Sequence, residues 1–460
     1  MARKLKVYFF PTQNTGCGKY RMWNPAAALK SSGLCEVRRG PDNPEEITVI
    51  RAMEIFEWAD IVYTECFTEL WAATFFAATR DKLGKKLIID LDDSVWDIHP
   101  MNIGTLNGKA ICLNDHFSDD PDKFWDVYKM TNKQWNQYMD EMDPEDRRVI
   151  KKPNFIDGTM MEINGDKVFV KQKNADARSS SNFYLGIADA VTTTNPFLAE
   201  RIKSNCGQQN IYQLPNCLNP DEWTGERVKH PDDEVWIGWS GSASHYPDLI
   251  PIVPVLDKLM SKYPQLRIQM MGSCFDYLFP PKDPGKGVGV YGYAGNNMAS
   301  FFNYKDCGER WPGRMRFEKP VTIQEYSQWM RNKWVADIGI APLANFAFND
   351  AKSELKWCEY AMLGVPTVAS KFGPYKRAIK HGVDGLLAGS EKAWQNALEE
   401  LIESPERRSS IARAARKRVL DEYNPDTQVH QWLDVFNRVA EAEPRPLPKH
   451  AQAGLNIHAV

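Results

Sequence analysis

Lys352, Ser353, Lys356 and Glu359 fall within eight positions, just before a Leu-Gly-Val-Pro turn. The stretch Ser353–Leu363 reads as a helix, with Ser353 suited to its N-cap and Gly364 to the position just past its end. The two lysines are four apart and share a face, where like charges cost about 0.2–0.5 kcal/mol. Both also sit at the positive end of the helix dipole, which disfavours a cation by about 0.3–1 kcal/mol. An anion bound there reverses both penalties, because free backbone N–H groups and two ammonium groups converge on it. A nucleotide diphosphate fits that description. The alternative is a surface pair of Lys356 with Glu359, leaving Lys352 solvated. An ionised Glu359 is an acceptor-only group able to take two hydroxyl protons.

Three further stretches carry candidate chemistry. Ser240, Gly241 and Ser242, followed three residues later by His245, end a strand-like run. Small residues there let backbone N–H groups approach a phosphate, with His245 either a phosphate or sugar contact or a bystander. Near the start, Gly16, Gly18 and Arg21 sit in the run Thr-Gly-Cys-Gly-Lys-Tyr-Arg. This lacks the upstream glycine and the Ser/Thr of a phosphate-binding P-loop. Arg21 is read either as a cation facing a cleft or as a surface charge. Finally, Asp90, Asp92 and Asp93 crowd the end of another strand. Such crowding raises at least one pKa and suits acceptor-hydroxyl binding or base catalysis by Asp92 or Asp93. Metal binding and helix capping remain as alternatives.

The elements that must position these groups alternate between short β-branched runs and helical stretches, the pattern of parallel sheets with crossover helices. The first half predicts strands at 6–10, 61–64, 86–90, 190–193 and 211–214; the second predicts them at 235–239, 267–271, 337–341 and 365–369. Two doubly wound α/β domains follow, 1–218 and 219–425, then a helix at 426–443 and a tail at 444–460. The polar segment Asn216–Asp233 reads as their linker. Insertions are expected at about 101–182, with helical character over Asp115–Asp146, and at about 276–316. Ligands of open α/β sheets bind at the carboxyl edges of the strands, so a cleft between the two domains is the expected site.

The run Glu359-Tyr-Ala-Met-Leu-Gly-Val-Pro-Thr-Val-Ala-Ser, with its flanking ADIGIAPL and GVDGLLAG, resembles the signature of family 4 glycosyltransferases. That resemblance implies the GT-B fold, two Rossmann-like domains facing a cleft, and a retaining sugar transfer from a nucleotide-sugar donor such as a UDP-sugar. It implies that Glu359 binds the ribose hydroxyls, that Lys352, Ser353, Lys356 and the Ser240–Ser242 loop face the diphosphate, and that Gly16, Gly18 and Arg21 reach across from the other side. It also implies that the last helix returns to the N-terminal domain, that no cofactor is used and that no metal is required. The family commonly carries a second Glu eight residues earlier; here that position is Ala351, with Asp350 beside it.

The acceptor is less legible. Between Pro281 and Arg316 lie Lys282, Lys286, Lys305, Arg310, Arg314 and Arg316, interleaved with Tyr291, Tyr293, Phe301, Phe302, Tyr304 and Trp311. That mixture could bind a nucleic-acid strand, and the pattern is similar to phage-type glycosyltransferases that modify hydroxymethylated DNA bases. A saccharide or small-molecule acceptor is the main expectation. A sugar-nucleotide epimerase and an idle nucleotide-sugar binding protein are the competing readings; a dehydrogenase is disfavoured because no G-x-G-x-x-G fingerprint is present.

The 460 residues are 43% hydrophobic and 25% charged with a formal charge of −3, which gives no global pull toward nucleic acid or anionic membrane. Nine cysteines without zinc-like spacing predict free thiols in a reducing compartment. With no signal-like start and no long apolar run, a soluble, cytoplasmic protein is expected.

Overall fold

The computed structural model describes residues 3–10, 16–40, 49–66, 76–77, 80–96, 154–156, 160–163, 166–242, 245–272, 311–345, 347–443 and 445. Fifteen strands are numbered here in chain order: β1 Lys6–Phe10, β2 Glu36–Arg39, β3 Ile61–Glu65, β4 Lys86–Leu91, β5 Asn154–Ile156, β6 Met160–Ile163, β7 Asp166–Val170, β8 Ala190–Thr193, β9 Ile211–Gln213, β10 Val235–Gly241, β11 Leu266–Gly272, β12 Met315–Glu318, β13 Ile338–Ala341, β14 Thr367–Ser370 and β15 Leu386–Ala388.

Two six-stranded parallel sheets organise the chain, in the orders β2-β1-β3-β4-β8-β9 and β12-β11-β10-β13-β14-β15. The α/β doubly wound class expected from the sequence therefore holds. Strands β3 and β4 are buried at every position, as strands of a parallel sheet covered on both faces should be. In each sheet the strand order reverses beside the first strand, between β1 and β3 and between β10 and β13, and ligands of such sheets bind at this reversal.

The last long helix, Pro425–Glu441, packs on the first sheet: Trp432 and Phe436 lie against Phe9 and Tyr63. Residues 216–223, the start of the segment read as the linker, are packed into the fold. Cys217 and Leu218 are buried, and Trp223 closes a short helical turn, fully buried against the second unit. Their apolar side chains outweigh the local Asn/Pro/Asp composition.

Two edge strands, Glu36-Val-Arg-Arg and Met-Arg-Phe-Glu at 315–318, were not expected. Charged residues on exposed edges discourage pairing with other chains and also erase the apolar pattern that marks a strand. Part of the first expected insertion forms an antiparallel sheet, β5-β6-β7, leading into the helix Lys171–Ile187. The helical character expected at 115–146 lies outside the described residues. No helix among the described residues is long and apolar enough to cross a membrane, and the six described cysteines are free thiols.

Candidate functional site

A cavity of about 330 Å³ lies between the two units, lined from the first by Gly16, Cys17, Tyr20, Asp92 and Asp93 and from the second by Ser242, His245, Tyr326, Lys352, Ser353, Lys356 and Glu359. Its floor is the start of the helix Leu355–Met362. Ser353 lines the wall but does not cap this helix; the cap position falls on Glu354, with no side-chain hydrogen bond to the helix start. The helix's far end matches expectation. Gly364 adopts φ 72°, and the N–H groups of Gly364 and Val365 return to the carbonyls of Ala361 and Tyr360 at 2.9 Å each, closing a Schellman motif that favours glycine.

Lys356 is the central cation. Its Nζ stands 5.8 Å over the Trp239 ring, and it forms no ion pair with a described residue within salt-bridge distance. Burial, followed by the nearby Lys352, lowers its pKa to about 8, against the raising pull of Glu359 and Asp248. Lys352 Nζ lies 4.6 Å over Phe348 and 3.9 Å from Asp93 Oδ2, across the cavity. Neither lysine is merely solvated. Gly241 makes room for this arrangement: a Cβ added there would lie 2.6 Å from the Trp239 ring and 3.2 Å from Lys356 Nζ.

Glu359 is 4% exposed, and both its oxygens are occupied. The Tyr20 hydroxyl donates to Oε1 at 2.9 Å and the Tyr326 hydroxyl to Oε2 at 3.0 Å. Burial raises its pKa, opposed by Lys356 and the two tyrosines. Each carboxylate oxygen retains a further lone pair, so ribose hydroxyls can still be accepted.

On the facing wall, Asp92 has its pKa raised to about 6, chiefly by burial and then by Asp93, while the Cys17 thiol donates to it. Asp93 is half exposed beside Lys352. Asp90 stands apart from this pair. It holds Arg21 through Nε at 2.9 Å and Nη2 at 2.6 Å, and accepts from Tyr63 at 2.8 Å.

Several expected site residues are placed elsewhere. Arg21 is fully buried, also donating to the carbonyls of Leu214 and Pro215 and lying 5.5 Å from the Trp432 ring. It faces the last helix, not the cavity, because Asp90 neutralises it inside the core. Gly18 is buried in the π-helical stretch Gly18–Trp23 and is not part of the cavity wall. Ser240 is buried behind the wall, where its N–H donates to the Tyr360 hydroxyl at 3.0 Å. Ala351 packs into the apolar core of the first unit, its carbonyl accepting from Asn195 at 2.6 Å. Asp350 is ion-paired with Arg377. Neither supplies the missing second carboxylate.

Of the basic and aromatic set at 281–316, only Trp311, Arg314 and Arg316 are described. Trp311 is buried with its indole N–H on Asp257. Arg314 donates to the carbonyls of Met260, Tyr263 and Leu266, and Arg316 pairs with Glu318. These three side chains are engaged within the fold; the others lie outside the described residues. No group of three or more His, Cys, Asp or Glu side chains among the described residues could hold a metal ion.

Sequence reasoning did not single out Tyr20 as a ligand of Glu359, nor Tyr326 or Asp248. The His-x-x-Asp spacing of His245 and Asp248 was a usable signal. The Tyr326 contact arises only from tertiary packing.

Comparison with known proteins gives a family match for part of the chain and a likeness of fold for most of it. Residues 282–434 match a family model described as glycosyl transferase-like. The chain is 36% identical over 98 residues to a D-inositol 3-phosphate glycosyltransferase of Pseudarthrobacter chlorophenolicus, covering 21% of each chain. It is 25% identical over 141 residues to the enzyme of that name from Thermobispora bispora, covering 30% of this chain and 31% of that one. The matched part thus spans between a fifth and a third of these relatives. Among solved structures, HepE of Anabaena in complex with UDP and glucose superposes with TM-score 0.52 at 12% identity, covering 94% of this chain and all of that one. A sucrose-phosphate synthase from Thermosynechococcus elongatus gives 0.53 at 12%, covering 96% and 100%. The chain is therefore glycosyltransferase-like in sequence over its C-terminal part, and its two facing sheets are the GT-B fold of glycosyltransferases.

Proposed function

We propose that this chain is a retaining glycosyltransferase that moves a sugar from a nucleotide-sugar donor, a UDP-sugar, to an acceptor hydroxyl of a saccharide or small molecule. The observation that carries the reading is the convergence of Lys352, Lys356 and a helix start on one cavity, with Glu359 a turn further along the helix. Two cations beside unpaired backbone N–H groups suit a diphosphate, and a carboxylate nearby suits the ribose hydroxyls. UDP is bound by HepE, whose fold this chain shares.

In this reading the lysines and helix start stabilise charge developing on the departing phosphate, an electrostatic role with no covalent intermediate required. The acceptor lies against Asp92 and Asp93, and Asp92, with its pKa raised to about 6, is placed to accept the hydroxyl proton near neutral pH. The lysines supply the positive charge a metal would otherwise bring, so no divalent cation is needed. The test is an acceptor screen with UDP-glucose, with the anomeric configuration of the product read by NMR. Transfer with retention supports the proposal. Interconversion of the donor without an acceptor would make the chain an epimerase, binding without turnover would make it an idle binder, and full activity in Lys356→Ala would remove the leaving-group role.

A further inference from the structure

His245 and Asp248 form a dyad at the edge of the cavity. His245 Nδ1 lies 2.7 Å from Asp248 Oδ2, and the Asp248 side chain is almost fully buried. The other carboxylate oxygen of Asp248 accepts from the Ala344 N–H at 2.9 Å and from Asn349 Nδ2 at 2.6 Å. With that oxygen already taking two donors, the carboxylate meets the ring as an acceptor. The Nδ1–H of His245 must then donate to it, which leaves the Nε2 lone pair on the side of the ring away from Asp248. An aspartate that fixes the tautomer and orientation of an imidazole and stabilises its charged form is the arrangement used in Ser-His-Asp catalysis.

Two cations oppose that charged form. Burial, then Lys356 and Lys352, hold the His245 pKa down to about 4, against the raising effect of Asp248. The Trp239 ring, edge-on at 6.2 Å, adds no formal charge. With no anion in the cavity, His245 is a neutral ring facing two lysines. A diphosphate placed between the three would reverse the sign of that field.

Resting on the donor-site reading above, we infer that His245, oriented by Asp248, takes up a proton when the nucleotide diphosphate enters and donates it in a hydrogen bond to a phosphate oxygen of the leaving nucleotide. The proton comes from solvent on binding and returns there when the nucleotide departs. In transfer itself the bond from the sugar carbon to the phosphate oxygen breaks and the bond to the acceptor oxygen forms, the acceptor's hydroxyl proton passing to Asp92, while the imidazolium stays protonated and steadies the new phosphate charge. Asp248 is a positioning residue, since it acts through His245.

Calorimetric titration with UDP-glucose, repeated in buffers of different ionisation enthalpy, measures the protons exchanged. The phosphates of UDP-glucose are diesters that do not titrate near neutrality, so any uptake belongs to the protein. At about pH 6, where Lys356 is already charged, wild type is expected to take up a large fraction of a proton. His245→Asn and His245→Gln should abolish the uptake and weaken binding roughly 10-fold. Asp248→Asn should reduce the uptake and alter the pH profile of binding, and Asp92→Asn should retain the uptake. Binding by wild type with no proton uptake, or uptake lost in Asp92→Asn but kept in the His245 variants, overturns the inference alone. No binding of UDP-glucose by wild type overturns it together with the donor-site reading.

Discussion

Tyr20 and Glu359 are 339 positions apart in the chain and are joined by a hydrogen bond of 2.9 Å. Tyr20 belongs to the helical stretch after the first strand, and Glu359 to the helix that floors the cavity. The bond therefore ties the first unit to the carboxylate assigned here to the ribose. Lys19, its neighbour, reinforces the tie through an ion pair with Glu222 and a 3.0 Å bond to the Ser327 hydroxyl.

Tyr20→Phe removes one donor from a buried carboxylate while keeping the ring. A hydrogen bond to a charged group contributes about 1.5–3 kcal/mol, so the KM for the donor should rise roughly 10-fold or more with kcat changed far less. Steady-state kinetics decide this; an unchanged KM would show that the bond does not position Glu359 for the nucleotide.

Arg21→Met tests whether that arginine is structural. Removing one partner of a buried pair leaves Asp90 uncompensated and costs about 3–5 kcal/mol. Denaturant titration should show a loss of that size. A protein of wild-type stability with weakened donor binding would instead return Arg21 to the cavity.

Asp92 should oppose stability above its folded pKa. That pKa is raised from 3.8 to about 6, so between these values the folded state holds more proton than the unfolded one. Stability therefore falls as pH rises through that window. Asp92→Asn should be more stable than wild type above about pH 6, yet slow in transfer, and it should lose the acidic limb of the rate profile that ionisation of the base produces. Urea titrations and initial rates across pH check both arms; equal stability of the two proteins at alkaline pH would contradict the first.

Chelation should leave the transfer rate unchanged, because Lys352 and Lys356 provide the positive charge at the phosphates. Rates with and without EDTA, followed by magnesium addition, decide this. Loss of activity on chelation and its return with magnesium would contradict it.

Much of this fold was legible because buried parallel strands leave a simple trace. Ala190–Thr193 and Ile338–Ala341 are short, free of charged residues and wholly buried. The edge strands were not legible, since in Glu36-Val-Arg-Arg and Met-Arg-Phe-Glu charged residues interleave with the few apolar ones that reach the core. The lysine pair was readable at the site because two like charges at one helix start conflict with local electrostatics, and such conflicts mark function. Arg21 looked the same in sequence, but its partner Asp90 lies 69 residues away, and spacing cannot show a pairing made by tertiary contact. The Tyr326–Glu359 bond escaped for the same reason.

Thermal stabilisation by UDP, GDP, ADP and their glucose conjugates, measured on wild type and on Glu359→Ala, tests the donor site most directly. Ligand at a hundred times its dissociation constant adds about 2.7 kcal/mol to the stability of a protein that binds it only when folded. The prediction is a clear upward shift with the uridine compounds, lost in Glu359→Ala. No shift with any of the nucleotides, or an equal shift in the variant, would contradict the assignment of this cavity to a nucleotide-sugar donor.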